Sequence, residues 1–313
     1  TREEFLKKLI EIAPEGLTQV HLNNSGAEAV EAAMKFARKF TGKKGMVAMK
    51  GSYHGKSFGA LSLTFNPKYR KAFAPLVEKV SFASFGDMDS LRSVIDDDTA
   101  FIILEPIQGE SGIIVAPDGF LQEVRKLCNE KGILLVFDEI QSGLGRTGRL
   151  WAGDHWNTSP DILCLAKGIA GGVPMGATLV RPDILAAISK GEHSSTFGGN
   201  PISCAAGIAA LKSITEDGLI ENSKKMGEMF REGLEKLKEK HMMIREIRGK
   251  GLMLAIEFED EELAQKVVGQ SLENGLILFY FLFTKTAIRI TPPITISEEE
   301  IIKGCNIIKG ILE

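Results

Sequence analysis

The sequence predicts an α/β protein with a mostly parallel central sheet, helices on both faces, and a small α+β unit at the C-terminal end. Three observations predict it. From Leu17 to Leu185, short β-branched runs alternate with amphipathic helical stretches, as in a layered parallel sheet. Two of the runs, Ile133–Phe137 and Ile162–Leu165, are apolar without interruption, as strands covered on both faces are. After the turn-rich stretch Gly191–Pro201, the alternation gives way to one long amphipathic helix and shorter strands.

Taken in order, the expected strands are Val20–Leu22, Gly45–Lys50, Val80–Ser84, Ala100–Glu105, Ile133–Asp138, Ile162–Leu165 and Ala177–Val180. Between them, Glu28–Phe40 sets Val30, Met34 and Ala37 on one helical face, and Phe120–Glu130 does the same with Leu121, Val124 and Leu127. A helix over Leu219–Lys240 leads, in its second half, into the smaller unit. There, Ile244–Phe258 reads as strand broken at Gly249 and Gly251, followed by a helix near Glu262–Asn274. A last strand, the Pro292-Pro293 break and a helix after Ser297 close the chain. The expected division is a large domain over residues 1–215 and a small one over 216–313.

At 313 residues the chain can bury a substantial core, and 44% hydrophobic with 25% charged residues is ordinary for a soluble globular protein. The net charge of -3, with both signs interspersed, makes no electrostatic case for nucleic acid or an anionic membrane as partner. The longest apolar run, Leu276–Phe283, falls short of the roughly 20 residues that cross a bilayer, and Thr1–Ile12 lacks a signal-peptide core. Cys128, Cys164, Cys204 and Cys305 are widely spaced, so neither a disulfide framework nor a zinc site is expected, and a reducing cytoplasm fits. His21, His54, His155, His193 and His241 show no ligand spacing, so no metal is expected.

The two apolar strands deliver the chemistry. Ile133–Phe137 ends in Asp138 and Glu139, at the strand end where ligands bind in open α/β sheets. Taken alone, Asp138 also reads as a metal ligand or a helix cap. Ile162–Leu165 ends in Ala166-Lys167-Gly168. An ammonium without a partner at a buried strand end is expensive, and it makes sense if the amine is consumed in an imine; taken alone, Lys167 also reads as a lysine reaching out past the sheet. Together, a lysine that holds an aldehyde as a Schiff base and an acid that keeps a pyridine nitrogen protonated are what pyridoxal 5'-phosphate requires. Gln141 could reach the ring's phenolic oxygen. Asn24-Ser25-Gly26-Ala27 follows a short strand and opens a helix, so its free N–H groups make a phosphate cradle, although a simple helix cap has the same composition.

With these residues in view, the chain resembles the class III (ω-amino acid) aminotransferases. The resemblance lies in Asn24-Ser25-Gly26-Ala27-Glu28-Ala29, Tyr53-His54-Gly55, Glu105-Pro106-Ile107-Gln108-Gly109-Glu110 and Phe137-Asp138-Glu139-Ile140-Gln141-Ser142-Gly143. It continues in Gly145-Arg146-Thr147-Gly148, Leu165-Ala166-Lys167-Gly168, Ser195-Thr196-Phe197-Gly198-Gly199-Asn200-Pro201 and Ile288-Arg289-Ile290-Thr291-Pro292-Pro293. Eight motifs occur in the family's order and spacing.

The resemblance implies a fold-type I transferase that moves an amino group from a small-molecule donor to 2-oxoglutarate. N-acetylornithine or ornithine is the first choice of donor and 4-aminobutyrate the second. It implies that Ser25, Gly26 and Ala27 hold the cofactor phosphate, that Tyr53 stacks on the ring and that His54 lies beside it. Asp138 would pair with the ring nitrogen, Gln141 with the phenolic oxygen, and Lys167 with the aldehyde. Thr196 would complete the site of a neighbouring subunit in a homodimer. Arg289 would grip a substrate carboxylate, and Glu110 would pair with Arg289 while an ω-amine is bound. The chain departs from the family at Ala27, where many relatives carry Thr, at Lys56, where Arg is frequent, and at Ala170 in the usual glycine run. Relatives also carry further residues before the position of Thr1, so the N-terminal segment of the family is expected to be absent here.

Two other readings compete with this one. Gly143-Leu144-Gly145-Arg146-Thr147-Gly148 satisfies the dinucleotide fingerprint of a nicotinamide-dependent dehydrogenase, but Arg149–Trp156 does not open a regular helix, which predicts a loop. A non-catalytic binding protein on the same scaffold is disfavoured by the intact Lys167 and Asp138.

Overall fold

The computed structural model describes residues 1–313. Helix α1 (Arg2–Glu11) precedes strand β1 (Gln19–Asn23), helix α2 (Gly26–Thr41), strand β2 (Gly45–Met49) and the short helices α3 (Phe58–Leu63) and α4 (Pro67–Arg70). Strand β3 (Val80–Ala83), helix α5 (Met88–Val94) and strand β4 (Thr99–Leu104) follow, then a small hairpin of β5 (Ile107–Gln108) and β6 (Ile114–Val115). Helix α6 (Phe120–Lys131), strands β7 (Leu134–Asp138), β8 (Ile162–Leu165) and β9 (Gly176–Val180), and helices α7 (Pro182–Ala186) and α8 (Pro201–Glu216) complete the first part. The second holds helix α9 (Leu219–Lys238), strands β10 (Ile244–Lys250) and β11 (Met253–Phe258), helix α10 (Glu261–Glu273), strands β12 (Phe279–Tyr280) and β13 (Ala287–Ile290), and helix α11 (Glu298–Leu312).

Seven strands form the main sheet in the order β1-β9-β8-β7-β4-β2-β3. Strands β3, β2, β4, β7 and β8 are mutually parallel, and β9 runs antiparallel to both β8 and β1. Because strand side chains alternate, β7 and β8 feed two cores at once. Leu134, Val136, Ile162 and Cys164 meet Ala29, Ala33 and Phe36 of α2 on one face. Leu135, Phe137, Leu163 and Leu165 meet Leu121 and Val124 of α6, Leu211 of α8 and Phe5 of α1 on the other. A four-stranded antiparallel sheet, β10-β11-β13-β12, carries a third core with α9, α10 and α11, including Phe230, Leu234, Ile256, Phe258, Val267 and Ile308. This third core is drawn wholly from residues after 216, while Met253, Ala255, Phe281 and Ala287 of the same region join the large core, and we propose 1–215 and 216–313 as the two domains. No helix is long and apolar enough to cross a membrane.

Several elements differ from the sequence expectation for identifiable reasons. Thr1–Ile12 reads as alternating charge, yet α1 forms there because Phe5 and Leu9, four residues apart, bury one helical face completely. Helix α8 was not expected: its small residues Ala205, Ala206, Gly207, Ala209 and Ala210 make the face weakly amphipathic, which hides the period. Its start is nevertheless marked locally, since the Asn200 side chain accepts from Ser203 N and Pro201 fills the first turn. Gly249 lies inside β10, and the break falls at Gly251–Leu252, the turn between β10 and β11.

The two-faced burial of β7 predicts the cost of disturbing it. Leu135→Ala should lower the unfolding free energy by about 2–5 kcal/mol, while Leu272→Ala on the exposed side of α10 should stay within about 0.5 kcal/mol. Chemical denaturation of both variants beside the parent measures the difference.

Candidate active site

The carboxyl ends of β4, β7 and β8 converge with the start of α2 on one cleft of about 430 Å³. Its walls include Ser25, Gly26, Ala27, Tyr53, His54, Glu110, Asp138, Gln141 and Lys167, nine positions singled out in the sequence. Arg289 lies in an adjoining cleft of about 690 Å³ that shares Gln141 and Lys167 with the first. Thr196 lines neither; it sits on an exposed loop beside Phe197, which is 72% exposed.

At the head of α2, Ser25 spends its hydroxyl on the helix, accepting from Glu28 N at 3.3 Å. The Gly26 and Ala27 amides donate no hydrogen bond within the chain. They therefore face the cleft with the positive end of a 16-residue helix behind them, which suits an anion. Gly26 packs closely on Ile140, whose Cδ1 would stand 2.8 Å from an added Cβ.

Asp138 is buried at the end of β7. Its Oδ2 is 2.7 Å from His54 Nδ1 and its Oδ1 accepts from Ile140 N at 3.1 Å, so each oxygen is held before any ligand arrives. His54 is buried as well, and its Nε2 has no partner. The Tyr53-His54 segment is set in turn by Glu105 at the end of β4, which accepts from Tyr53 N at 2.9 Å and from Gly109 N at 2.8 Å. Burial, reinforced by Asp138 nearby, holds the Glu105 carboxyl above its usual pKa. Glu105 has no role of its own in the sequence motif that contains it, although it follows an apolar run, as Asp138 and Lys167 do, at the same edge of the sheet. Glu139, the neighbour of Asp138, points away and accepts from Ala152 N and Gly153 N at 2.6 and 2.9 Å, which explains it as a brace.

Lys167 follows β8 with a backbone φ of +44°, a left-handed conformation that side-chain-bearing residues rarely hold. Its amine makes no hydrogen bond or ion pair, and its side chain opens into the cleft. Crowding by protein strips water from the amine and pushes its pKa below the ordinary lysine value, against the opposing pull of Asp138, Glu110 and Glu105. Gln141 Oε1 is buried without a partner in the same space.

Across the cleft, Arg289 comes from β13 of the small sheet. Its Nη2 is 2.8 Å from Glu110 Oε2, its guanidinium lies 4.8 Å from the Phe281 ring centre, and its Nε is buried without a partner. Glu110 also accepts from Leu282 N at 3.2 Å, which ties the two sheets together. Phe283 packs near Tyr53 and Tyr69, with ring centres 6.2 and 5.9 Å apart. Lys56 lines the mouth, its ammonium 4.8 Å over Tyr69. The loop Gly143–Gly148 forms turns rather than a helix start, so the dinucleotide reading lacks its structural context.

Comparison with known proteins bears on this geometry. The aminotransferase class-III family model matches residues 1–312. An acetylornithine aminotransferase from Methanopyrus kandleri is 44% identical over 96% of this chain and 76% of its own length. A [LysW]-aminoadipate semialdehyde/glutamate semialdehyde transaminase from Sulfurisphaera tokodaii is 42% identical over 100% of the chain and 80% of its own. Among solved structures, an ornithine aminotransferase from Toxoplasma gondii, described as having partial occupancy of PLP at its active site, superposes with a TM-score of 0.94 at 33% identity, covering 99% of this chain and 76% of that one.

The depressed amine makes a pH-dependent prediction. In protein freed of small molecules, reductive methylation near neutral pH should mark Lys167 ahead of exposed lysines, which stay protonated to about pH 10.4. Raising the pH toward 10 should erase the preference, as read by peptide mass spectrometry. Uniform labelling at neutral pH would contradict the environment described for Lys167.

Proposed function

The chain belongs to the class-III aminotransferases, and from that footing we propose that it moves the amino group of an ω-amino acid to 2-oxoglutarate, giving a semialdehyde and glutamate. N-acetylornithine or ornithine is the favoured donor, a choice supported by relatives named for acetylornithine at 42–44% identity. The observation that carries the reading is the Lys167 amine standing without a partner in one cleft with the paired Asp138 and His54.

Class-III aminotransferases are pyridoxal-phosphate enzymes, and the residues here fit that group. Two free amides at Gly26 and Ala27 match a phosphate, Gln141 makes no side-chain hydrogen bond within the chain and so has its Nε2 donor free for a phenolic oxygen, and Asp138 presents a carboxylate. Tyr53 offers a ring face at the cleft wall. When bound, the group supplies an aldehyde for the incoming amine and a ring that takes up the electron pair released when the neighbouring C–H bond breaks.

This chain's own residues do the rest. Asp138 would hold a positive charge at the ring nitrogen, and His54 fixes the carboxylate so that it need not reorganise. Lys167 would hold the group's aldehyde and, once released, its Nζ would act as the base that moves the proton of the carbon bearing the donor's amine. Arg289 holds the carboxylate of the oxo acid as a fork, and Glu110 covers Arg289 while an ω-amine reacts. Thr196 completes the neighbouring site in a homodimer, a role supported by its exposed loop outside its own cleft. The same reading places the enzyme in the cytoplasm, on the support of its cysteine spacing.

A panel of N-acetylornithine, ornithine and 4-aminobutyrate as donors with 2-oxoglutarate should show ping-pong kinetics with one of the first two preferred. Borohydride reduction should place a pyridoxyl label on Lys167, and a label elsewhere would overturn that assignment. Asp138→Asn should retain cofactor but slow the half-reaction by more than about tenfold, a barrier change above ~1.4 kcal/mol.

The paired charges predict opposite signatures. Arg289→Ala should chiefly damage the 2-oxoglutarate half-reaction, by the about 1.5–3 kcal/mol that a charged hydrogen bond is worth. Glu110→Ala should leave Arg289 uncovered, making glutamate the better donor and the ω-amine the worse one. Stopped-flow measurement of both half-reactions decides, and equal losses in both directions would mark a merely structural ion pair.

A further inference from the structure

Arg146 is the one feature of the Gly145-Arg146-Thr147-Gly148 loop that neither the cofactor nor the substrate roles account for. It has no carboxylate partner, although burial pushes its guanidinium pKa down to about 10. Its Nη1 instead donates to two backbone carbonyls of the small domain, Leu252 O at 3.2 Å and Pro292 O. Its own carbonyl accepts from Leu252 N at 3.1 Å and from Ser223 Oγ at 2.9 Å.

The backbone around it is built for close approach. Gly251 sits at φ +52° in the β10–β11 turn, and a Cβ there would overlap the backbone of Thr147. A Cβ on Gly227 of α9 would overlap Gly251 in the same way. The loop, the turn and the helix therefore meet backbone to backbone, with the Arg146 side chain reaching on to Pro292.

Pro292 is three residues beyond Arg289. The chain leaves the sheet after Ile290, and Pro292 and Pro293 have no N–H with which to be anchored. At the two prolines only the carbonyls can be held by hydrogen bonds. Arg146 takes the Pro292 carbonyl, and Asn222 takes those of Ile294 at 2.7 Å and Ile296 at 3.2 Å. Within the small sheet, β13 pairs with β11 along its length and with the two-residue edge strand β12 on its other side, contacts that fix Arg289 inside the small domain and not against the large one. The position of Arg289 thus depends on how firmly its C-terminal flank is tied to the large domain.

We infer that Arg146 is a positioning residue: it ties the segment after β13 to the large domain and so sets where the Arg289 guanidinium stands for the carboxylate of the oxo acid. The inference rests on the reading of Arg289 as the carboxylate grip. It predicts a selective defect, because an ω-amine donor reacts while Glu110 covers Arg289 and so does not draw on the placement of that side chain.

The test is a double-mutant cycle on the full-chain holoenzyme, with Arg146→Met, Arg289→Ala and the pair, following both half-reactions by the cofactor's absorbance. Arg146→Met should weaken 2-oxoglutarate saturation by about tenfold or more while the donor half-reaction moves less than about threefold, and in the Arg289→Ala background it should add less than about twofold. Arg146→Lys keeps the charge and can serve one carbonyl of the two, so it should show the same split at smaller size; it carries the test if Arg146→Met does not fold. Equal losses in both half-reactions, or losses that add fully to those of Arg289→Ala, would overturn the inference and leave Arg146 a stabilising contact only. An Arg289→Ala enzyme that keeps its 2-oxoglutarate rate would overturn the carboxylate reading and this inference with it. An Arg289→Ala enzyme that loses that rate, beside an Arg146→Met enzyme that does not, would overturn the inference alone.

Discussion

The site depends first on the hydrogen bond between His54 and Asp138. A carboxylate buried at the end of a central strand needs partners of its own, or the cost of removing it from water falls on the fold. His54 provides one at 2.7 Å and the Ile140 amide another at 3.1 Å. For His54 to stand there, the segment after β2 must cross toward β7. It does so because Thr64 bonds the His54 amide at 3.0 Å and Glu105 bonds the Tyr53 amide. One buried acid therefore dictates the path of a loop, the burial of a second acid and the wall of the cleft.

Parallel strand geometry supplies the rest of the large-domain contribution. Strands β4, β7 and β8 are neighbours that run in one direction, so Glu105, Asp138 and Lys167 emerge at one edge. These groups are thus presented from the ends of strands, while the left-handed backbone at Lys167 turns the chain where the strand stops. The buried strands behind them hold that geometry, with Phe137 and Leu165 fully buried just before the turns.

The small sheet adds Arg289, which closes the cleft on the side opposite Lys167. Arg289 reaches the cleft only because β13 lies between β11 and β12 and because Glu110, on the β5–β6 hairpin, bonds both Arg289 and Leu282 N. The Gly145–Gly148 loop and the β10–β11 turn close the same seam from the other side. The cleft thus draws one wall from the main sheet and the other from the small sheet.

Local order was what the sequence by itself determined. Burial on both faces wrote β7 and β8 as unbroken apolar runs, and their ends marked Asp138 and Lys167 as exceptions that needed a reason. Ser297 announced α11 because a capping box needs only residues three apart. Helix α8 stayed hidden, since small residues pack by close approach and leave little period to read; its burial against α1 depends on Phe5, some 200 positions away, which a Cβ on Gly207 would meet. Tertiary structure alone decided which partners the charged and polar groups found. That His54 bonds Asp138 and not a ligand, that Glu139 turns away to bond a 3-10 turn, that Arg146 reaches a proline carbonyl, and that Thr196 stands outside its own cleft are all matters of distance between segments remote in sequence. Periodicity carries the direction in which a side chain leaves its own strand or helix; it carries nothing about what folding will place opposite.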